Sequence, residues 1–261
     1  MNKSNYIDID NKTLTWLKSL KDKKEKQRYQ NFVVEANKLS LELMTKHPNL
    51  IHGIYATSAW LDNHQLLLKS INKPIYCLKQ KDINRVSALK DPPAVLCTAY
   101  FPNFEEKTPA NGSVFYLDKI QDPGNLGTVI RSAEWFGIKS IYASLDSVDC
   151  FNSKCIQASM GSIFRTRVEY LTLDSLLEKF PKAQIMGMDM EGQSITTLEF
   201  PPSKNFIWVL GSEGQGLSAE VRQNVSKYVQ IPPATDNMAE SLNMATTSSI
   251  LFFYLNSKSS T

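Results

Sequence analysis

Three stretches of the chain place polar side chains among glycines and at helix starts, where a ligand can reach bare backbone. The first is Asp122-Pro123-Gly124-Asn125-Leu126-Gly127, which follows the apolar run SVFYLDKI and opens a helical pattern carrying Arg131. Gly124 and Gly127 permit close backbone approach, and Asn125 can cap the helix while offering its amide. Arg131 lies six residues beyond Asn125, more than one helical turn, so the tertiary fold decides whether both meet one ligand. The second stretch, Gly211-Ser212-Glu213-Gly214-Gln215-Gly216-Leu217-Ser218, directly follows the apolar strand FIWVL. Its three glycines let a ligand lie against the main chain, and Ser218 is placed to cap the next helix. It lacks the Lys-Ser/Thr ending of a phosphate loop and the spacing of the dinucleotide fingerprint, which leaves a nucleotide of another kind. The third runs from Ile231, Pro232 and Pro233 through Asn237 to Glu240-Ser241-Leu242-Asn243, where the last helix begins. The small residues Ala245, Thr246, Thr247, Ser248 and Ser249 then suit close packing or a partner contact. Each stretch alone also reads as an ordinary capped turn.

The elements that must position these residues alternate between strand and helix. In the C-terminal part, AVLCTAY, SVFYLDKI, SIYAS, QIMGMDM, FIWVLGSE and YVQIP read as strands. NLGTVIRSAEWFG, SKCIQASMGSIF, SAEVRQNV and ESLNMATTSSILFFYL read as helices, with a frayed polar tail from Asn256. Strands apolar on both faces predict a parallel sheet covered by helices. Ligands of such sheets sit beyond the strands' carboxyl ends, where the stretches above fall. The N-terminal part gives a basic helix or arm over Thr13–Tyr29, helical spacing in FVVEANKLSLEL, a strand in GIYATS, a helix in WLDNHQLLLKSI and a strand in PIYCL. The turn Asp91-Pro92-Pro93 is the expected linker, dividing an α/β module at 1–92 from an α/β domain at 93–261. The first half carries 16 Lys and Arg against 9 Asp and Glu, the second 13 against 17, so the N-terminal module is the one suited to a polyanion.

With 261 residues and 42% hydrophobic side chains, the chain can bury a substantial core. Its start has no apolar run of secretory length and ILFFYL is too short to cross a bilayer, so a cytoplasmic protein without a membrane partner is expected. Cys77, Cys97, Cys150 and Cys155 form no CxxC pair and the three histidines are scattered, which predicts buried apolar cysteines and no metal site.

Taken in order, DPGNLGTVIRSAEWFGI, VLGSEGQGLS and IPPATDNMAESLNMATTSSI resemble the three motifs of the SpoU or TrmH family within the SPOUT class of RNA methyltransferases. The likeness covers roughly residues 93–255, and FNSKCIQASMGSIFRTRV resembles the family's stretch after the first motif. The N-terminal module, through RYQNFVVEANKLSLEL and DINRVSALKDPP, resembles a ribosomal-protein-like (L30e/L7Ae-like) substrate-binding domain. The resemblance implies a trefoil-knotted parallel-sheet methyltransferase domain, a homodimer, S-adenosylmethionine as cofactor and RNA as substrate, ribosomal RNA ahead of transfer RNA.

It further implies a polar catalytic set of Asn125, Arg131, Glu213, Ser241 and Asn243. Cofactor contacts would come from Leu210, Gly211, Glu213, Gly214, Gly216, Ile231, Pro233, Ser241 and Leu242. The loop PATDNMA departs from the family, being longer and without glycine, and this leaves the contacts of residues 233–239 open. In the implied reaction, methyl transfer to a ribose 2′-hydroxyl, alignment is the larger task. Arg131 would sit at that hydroxyl either as base or as stabiliser of the oxyanion, the former chemically awkward because guanidinium stays protonated. Base methylation and a non-catalytic RNA-binding or ribosome-assembly role are the rival readings.

Overall fold

Short runs rich in Val, Ile, Tyr and Phe become strands, and capped polar-apolar stretches between them become helices. The computed structural model describes residues 6–105, 112–201, 204–236 and 238–259. Its strands are β1 (Ile7–Asp8), β2 (Asn31–Glu35), β3 (Ile51–Thr57), β4 (Ile75–Leu78), β5 (Val95–Tyr100), β6 (Ser113–Leu117), β7 (Ser140–Ala143), β8 (Arg167–Tyr170), β9 (Gln184–Ser194), β10 (Phe206–Leu210) and β11 (Lys227–Gln230). The helices are α1 (Asn11–Ser19), α2 (Lys23–Tyr29), α3 (Asn37–Lys46), α4 (Ser58–Asn63), α5 (Gln65–Leu68), α6 (Gln80–Val86), α7 (Pro123–Trp135), α8 (Ser153–Ser159), α9 (Leu173–Lys179), α10 (Ala219–Asn224) and α11 (Met244–Ser259). They form two units: Met1–Asn103 with Phe151–Phe164, and Phe104–Cys150 with Arg165–Thr261.

The first unit holds a mixed sheet of order β1-β4-β3-β5-β2, in which β5 runs antiparallel to both β2 and β3. The Asp91-Pro92-Pro93 turn therefore lies inside this unit rather than at its edge. Strand β5 is buried from Val95 to Ala99 and supplies the ladder partners that β2 and β3 need, so it cannot belong to the second sheet. Helix α8 joins the same unit, where Phe151 packs on Phe32 at 4.5 Å and its carbonyl accepts from Lys26 Nζ at 3.0 Å.

Several expected helices are divided by local chemistry. FVVEANKLSLEL splits into β2 and α3, because FVVE pairs along β5 and the chain turns at Ala36. The basic run Thr13–Tyr29 becomes α1 and α2, with the Asp22 carboxylate accepting from the Lys24 and Glu25 N–H groups. WLDNHQLLLKSI breaks at His64 into α4 and α5. In SKCIQASMGSIF the helix ends at Met160 and Gly161, with φ of 49° and 91°, before a 3-10 turn. At the other end, α11 continues helically through Ser259 instead of fraying from Asn256, while Ser260 and Thr261 lie outside the described residues.

The second unit carries a six-stranded sheet of order β11-β9-β10-β6-β7-β8, parallel throughout as the doubly apolar strands predict. On one face Val114, Tyr116, Ile207 and Val209 pack with Leu173, Leu176, Leu217 and Val221. Elsewhere Phe115 of β6 meets Phe252 of α11 edge-on at 4.6 Å. Edge strand β8 is only half-buried and carries no apolar run that would mark it in the sequence. Cys97, Cys150 and Cys155 are buried and Cys77 is partly so, none in a disulfide, and burial pushes the Cys97 thiol up to about 12. No described helix is long and apolar enough to cross a membrane, and the described residues hold no group of side chains suited to a metal.

Helix α7 starts one turn earlier than a cap at Asn125 would require. Asp122 is the capping residue, its carboxylate accepting from the Asn125 N–H at 2.9 Å, and Pro123 occupies the first helical position. The Asn125 amide is thereby left to act elsewhere. Asp122→Ala should lower unfolding free energy by about 1 kcal/mol. A urea melt should show this as a lower midpoint at unchanged slope, with Asp122→Asn close to wild type.

Candidate functional site

The segments singled out in the sequence converge inside the second unit because β6 and β10 are neighbours in a parallel sheet and end side by side. Past β6, the buried Asp118 carboxylate accepts from the Ser218 N–H at 2.6 Å, while its own N–H donates to the Leu210 carbonyl at 2.8 Å. This fastens both ends of the loop after β10. Within the loop Ser212 and Gly216 exchange two backbone hydrogen bonds of 3.1 and 2.9 Å. A Cβ at Gly211 would overlap the Gly216 carbonyl, and Gly216 has φ +64°, so both positions need glycine. Gly214 at the tip faces open space. Ser218 caps α10, its hydroxyl accepting from the Val221 N–H.

Three side chains from distant segments then meet. Asn243 precedes α11, and its Oδ1 accepts from the Ala245 and Thr246 N–H groups at 2.9 and 3.3 Å. With the oxygen so used, Asn243 Nδ2 donates to Asn125 Oδ1 at 3.2 Å. Asn125 Nδ2 in turn donates to Glu213 Oε1. One amide on α7 thus ties the loop after β10 to the start of α11, across 88 and 118 residues of chain.

Beside this junction lies a cleft of about 260 Å³. Of the residues expected to bind cofactor, Leu210, Gly211, Glu213, Gly216, Ile231, Ser241 and Leu242 line it, whereas Gly214 and Pro233 do not. Pro233 is exposed, as are its described neighbours to Asp236, and Asn237 falls outside the described residues. Of the expected catalytic set, Asn125, Glu213 and Asn243 form the junction, and Ser241 lines the cleft without joining it. Arg131 is exposed, lines no part of the cleft, and its side chain makes no hydrogen bond or ion pair with described residues. Six residues of α-helix set it roughly 120° around α7 from Asn125.

The sequence reading missed one wall. Met188, Asp189 and Met190 line the cleft from within β9, joined by Gln230, Met244 and Thr247. The rule that ligands sit beyond strand ends in a parallel sheet applies to QIMGMDM too, but β9 runs on to Ser194 and hides its functional middle. Asp189 is paired with Arg222 at 3.2 Å, and Arg222 Nε also donates to the Leu217 carbonyl. Among the described residues no Lys or Arg lines the cleft, while Glu213 and Asp189 do. The small residues after Asn243 serve packing within the unit: Ala245 and Ser248 are buried, and Ser249 hydrogen-bonds Ser132 of α7 at 2.7 Å.

Residues 112–253 match the sequence model of the SpoU rRNA Methylase family, a span that includes every element of this site. The chain belongs to this family. Among relatives of this SpoU protein, the 23S rRNA (guanosine(2553)-2′-O)-methyltransferase RlmP of Bacillus subtilis is 28% identical over 244 residues, covering 91% of this chain and 93% of RlmP. A TrmH-family structure from Porphyromonas gingivalis is 30% identical, covers 94% of this chain and 97% of its own, and superposes with a TM-score of 0.77. The SpoU methyltransferase AviRb of Streptomyces viridochromogenes, solved in complex with AdoMet, shares the fold at TM-score 0.81 and 18% identity, covering 97% of this chain and 99% of its own.

The glycine at the root of the loop and the one at its tip make opposite demands. Gly211→Ala should lose about 1–3 kcal/mol of stability through overpacking. Gly214→Ala should stay within about 0.5 kcal/mol of wild type. Parallel thermal melts of the two variants check the pair.

Proposed function

We propose that this protein transfers a methyl group from S-adenosylmethionine to a ribose 2′-hydroxyl of structured RNA, ribosomal RNA ahead of transfer RNA. The observation that carries the reading is the Asn125–Glu213–Asn243 junction, which gathers all three family motifs beside one cleft. The name of RlmP supports the ribose target, and the AdoMet complex of AviRb supports the donor.

The cleft suits such a donor on its own chemistry. Leu210, Leu242, Met188 and Met190 supply apolar walls, Gly211 and Gly216 supply peptide groups without side chains, and the Glu213 carboxylate, which faces no cation among the described residues, favours a positive ligand, while Asp189 is already paired with Arg222. When bound, S-adenosylmethionine supplies an electrophilic methyl on a sulfonium. Asn125 and Asn243 hold the ribose through their amides, Glu213 braces the loop, and Ser241 closes the cleft on the side of α11. Arg131 lines no part of the cleft in its own chain, so in this reading it reaches the 2′-hydroxyl and the neighbouring phosphate of a site in a second copy of the chain, where a guanidinium stabilises developing negative charge as the proton leaves to water.

Arg131→Lys should retain donor binding, read as stabilisation by S-adenosylmethionine in a thermal melt, yet slow methyl transfer by about a hundredfold or more. An RNA with a single 2′-deoxy nucleotide at the target should accept no methyl there. Methyl appearing at that nucleotide would mean base chemistry instead, and no response to the donor would point to a non-catalytic RNA-binding protein.

The trefoil knot and the homodimer belong to the same reading. The knot enters through the family resemblance alone. The dimer is supported by an apolar face on these helices: Trp135 is 84% exposed and Phe253 60%, with Ile250 nearby in sequence. Trp135→Glu should convert a dimer to a monomer in sedimentation at micromolar protein. A wild-type chain that sediments as a monomer removes the dimer from the proposal.

The first unit is the RNA reader in this scheme, supported by the excess of Lys and Arg over residues 1–92, and its L30e/L7Ae-like character is part of the proposal.

A further inference from the structure

We propose that the first unit contains a receptor for one unpaired nucleobase, formed by Trp16, Tyr29, Asn31, His52, Tyr55 and Tyr76. The proposal rests on the reading of RNA as substrate and adds where, and in what state, the RNA is gripped. The six residues come from α1, α2, β2, β3 and β4 and line a cavity of about 300 Å³. That volume lies at the lower end of the range typical of small-molecule clefts, about 300–1,000 Å³.

The walls suit a flat aromatic guest. Trp16 stands edge-on to Tyr29 at 6.1 Å and tilts over His52 at 5.2 Å, while Tyr55 and Tyr76 stack at 4.8 Å. Tyr29 is 40% exposed, and Trp16, His52 and Tyr76 are each only partly buried, so the aromatic surfaces reach the opening. The rings pack against one another in these pairs, and the surfaces they leave uncovered line the cavity.

Two polar groups give the cavity a hydrogen-bonding edge. Asn31 is 3% exposed, its Nδ2 donates to the Tyr29 carbonyl at 2.9 Å, and its Oδ1 has no hydrogen-bond partner. A buried amide oxygen left in this state is costly unless something donates to it, as the exocyclic amine of a base would after a small adjustment of the Tyr29 wall. His52 engages Thr98 Oγ1 through Nδ1 at 3.1 Å and has no other hydrogen bond among the described residues. Burial, with Lys73 nearby, holds its pKa below the ordinary histidine value, so the ring is neutral at physiological pH and can pair with a neutral base edge.

The charges around the opening select between occupants. Arg28 lies 5.3 Å above the Tyr29 ring, and Lys73 lies 5.8 Å above Tyr100, whose ring meets His52 edge-on at 5.4 Å. Aromatic cages also capture quaternary ammonium groups, but two cations at the rim repel such a guest. The same cations attract the phosphates on either side of an unstacked base.

The test uses the full chain and a single-stranded RNA tetranucleotide, compared with an abasic tetranucleotide of equal charge at fixed salt. Wild type should bind the base-bearing strand at least tenfold tighter than the abasic one. Tyr29→Ala should cost that strand about tenfold in Kd, and Tyr29→Phe should restore it, because stacking needs the ring and not the hydroxyl. Equal affinity for both strands, or competition by tetramethylammonium, overturns the proposal, and the abasic comparison needs no variant to fold. Base-dependent binding without any uptake of S-adenosylmethionine would sink the methyltransferase reading and leave the receptor standing. Methyl transfer to RNA with no preference for the base-bearing strand would do the reverse.

Discussion

The side-chain amide of Asn125 is the constraint on which the second unit turns. An amide has one donor end and one acceptor end, and each is used by a different segment: Oδ1 by Asn243 and Nδ2 by Glu213. Its orientation is not arbitrary. Backbone N–H groups at the start of α11 occupy Asn243 Oδ1, which turns the Asn243 amine toward Asn125 and so turns the Asn125 amine toward a carboxylate that can only accept. Polarity is thereby handed from a helix terminus through two amides to the loop. All three side chains are exposed or only partly buried, so each bond contributes about 0.5–1.5 kcal/mol at most, and the junction sets geometry more than stability.

That geometry holds because the backbones beneath it are fixed independently. Helix α7 is anchored by Leu126, Val129, Ile130 and Ala133, all fully buried, and by its Asp122 cap. The loop after β10 is anchored by the Asp118 carboxylate and by its own Ser212–Gly216 bridge. The start of α11 is anchored by the buried Met244, Ala245 and Ser248 and by the Ser132–Ser249 bond. A site assembled from loops is made rigid when each loop is held at its roots and the tips meet side chain to side chain.

Both units hold sealed and open aromatic residues. In the second, Phe115, Trp208 and Phe252 are sealed in the core around a parallel sheet, while Trp135 and Phe253 are exposed. In the first, Phe32 and Tyr55 are sealed, while Trp16, Tyr29 and Tyr76 stay partly open at a cavity carrying an unanswered amide oxygen. Exposed rings beside Lys and Arg have a binding logic that sealed rings lack, and the excess of basic residues over 1–92 falls in the same unit.

The sequence by itself pointed to a parallel sheet through strands apolar on both faces, a pattern that held for the second unit but not for Val95–Tyr100, which is equally apolar and pairs antiparallel, and it supplied the glycines and asparagines of the three motifs by type and order. It also marked Ser218 as a cap, a role that depends only on residues three apart in the chain. It did not determine that Asp122 rather than Asn125 caps α7, since both residues are competent caps and only the backbone entering the helix selects one. The assignment of Val95–Tyr100 to the first sheet was equally out of reach. An apolar strand records that it is buried but not which partners bury it, and the Pro-Pro turn before it looks like a boundary from either side. Met188 to Met190 were hidden for the same kind of reason: lining a cleft depends on neighbours brought by β10 and β11, which local pattern does not encode. Local physics wrote the elements and their caps. Long-range pairing decided which of them share a sheet, a junction and a cleft.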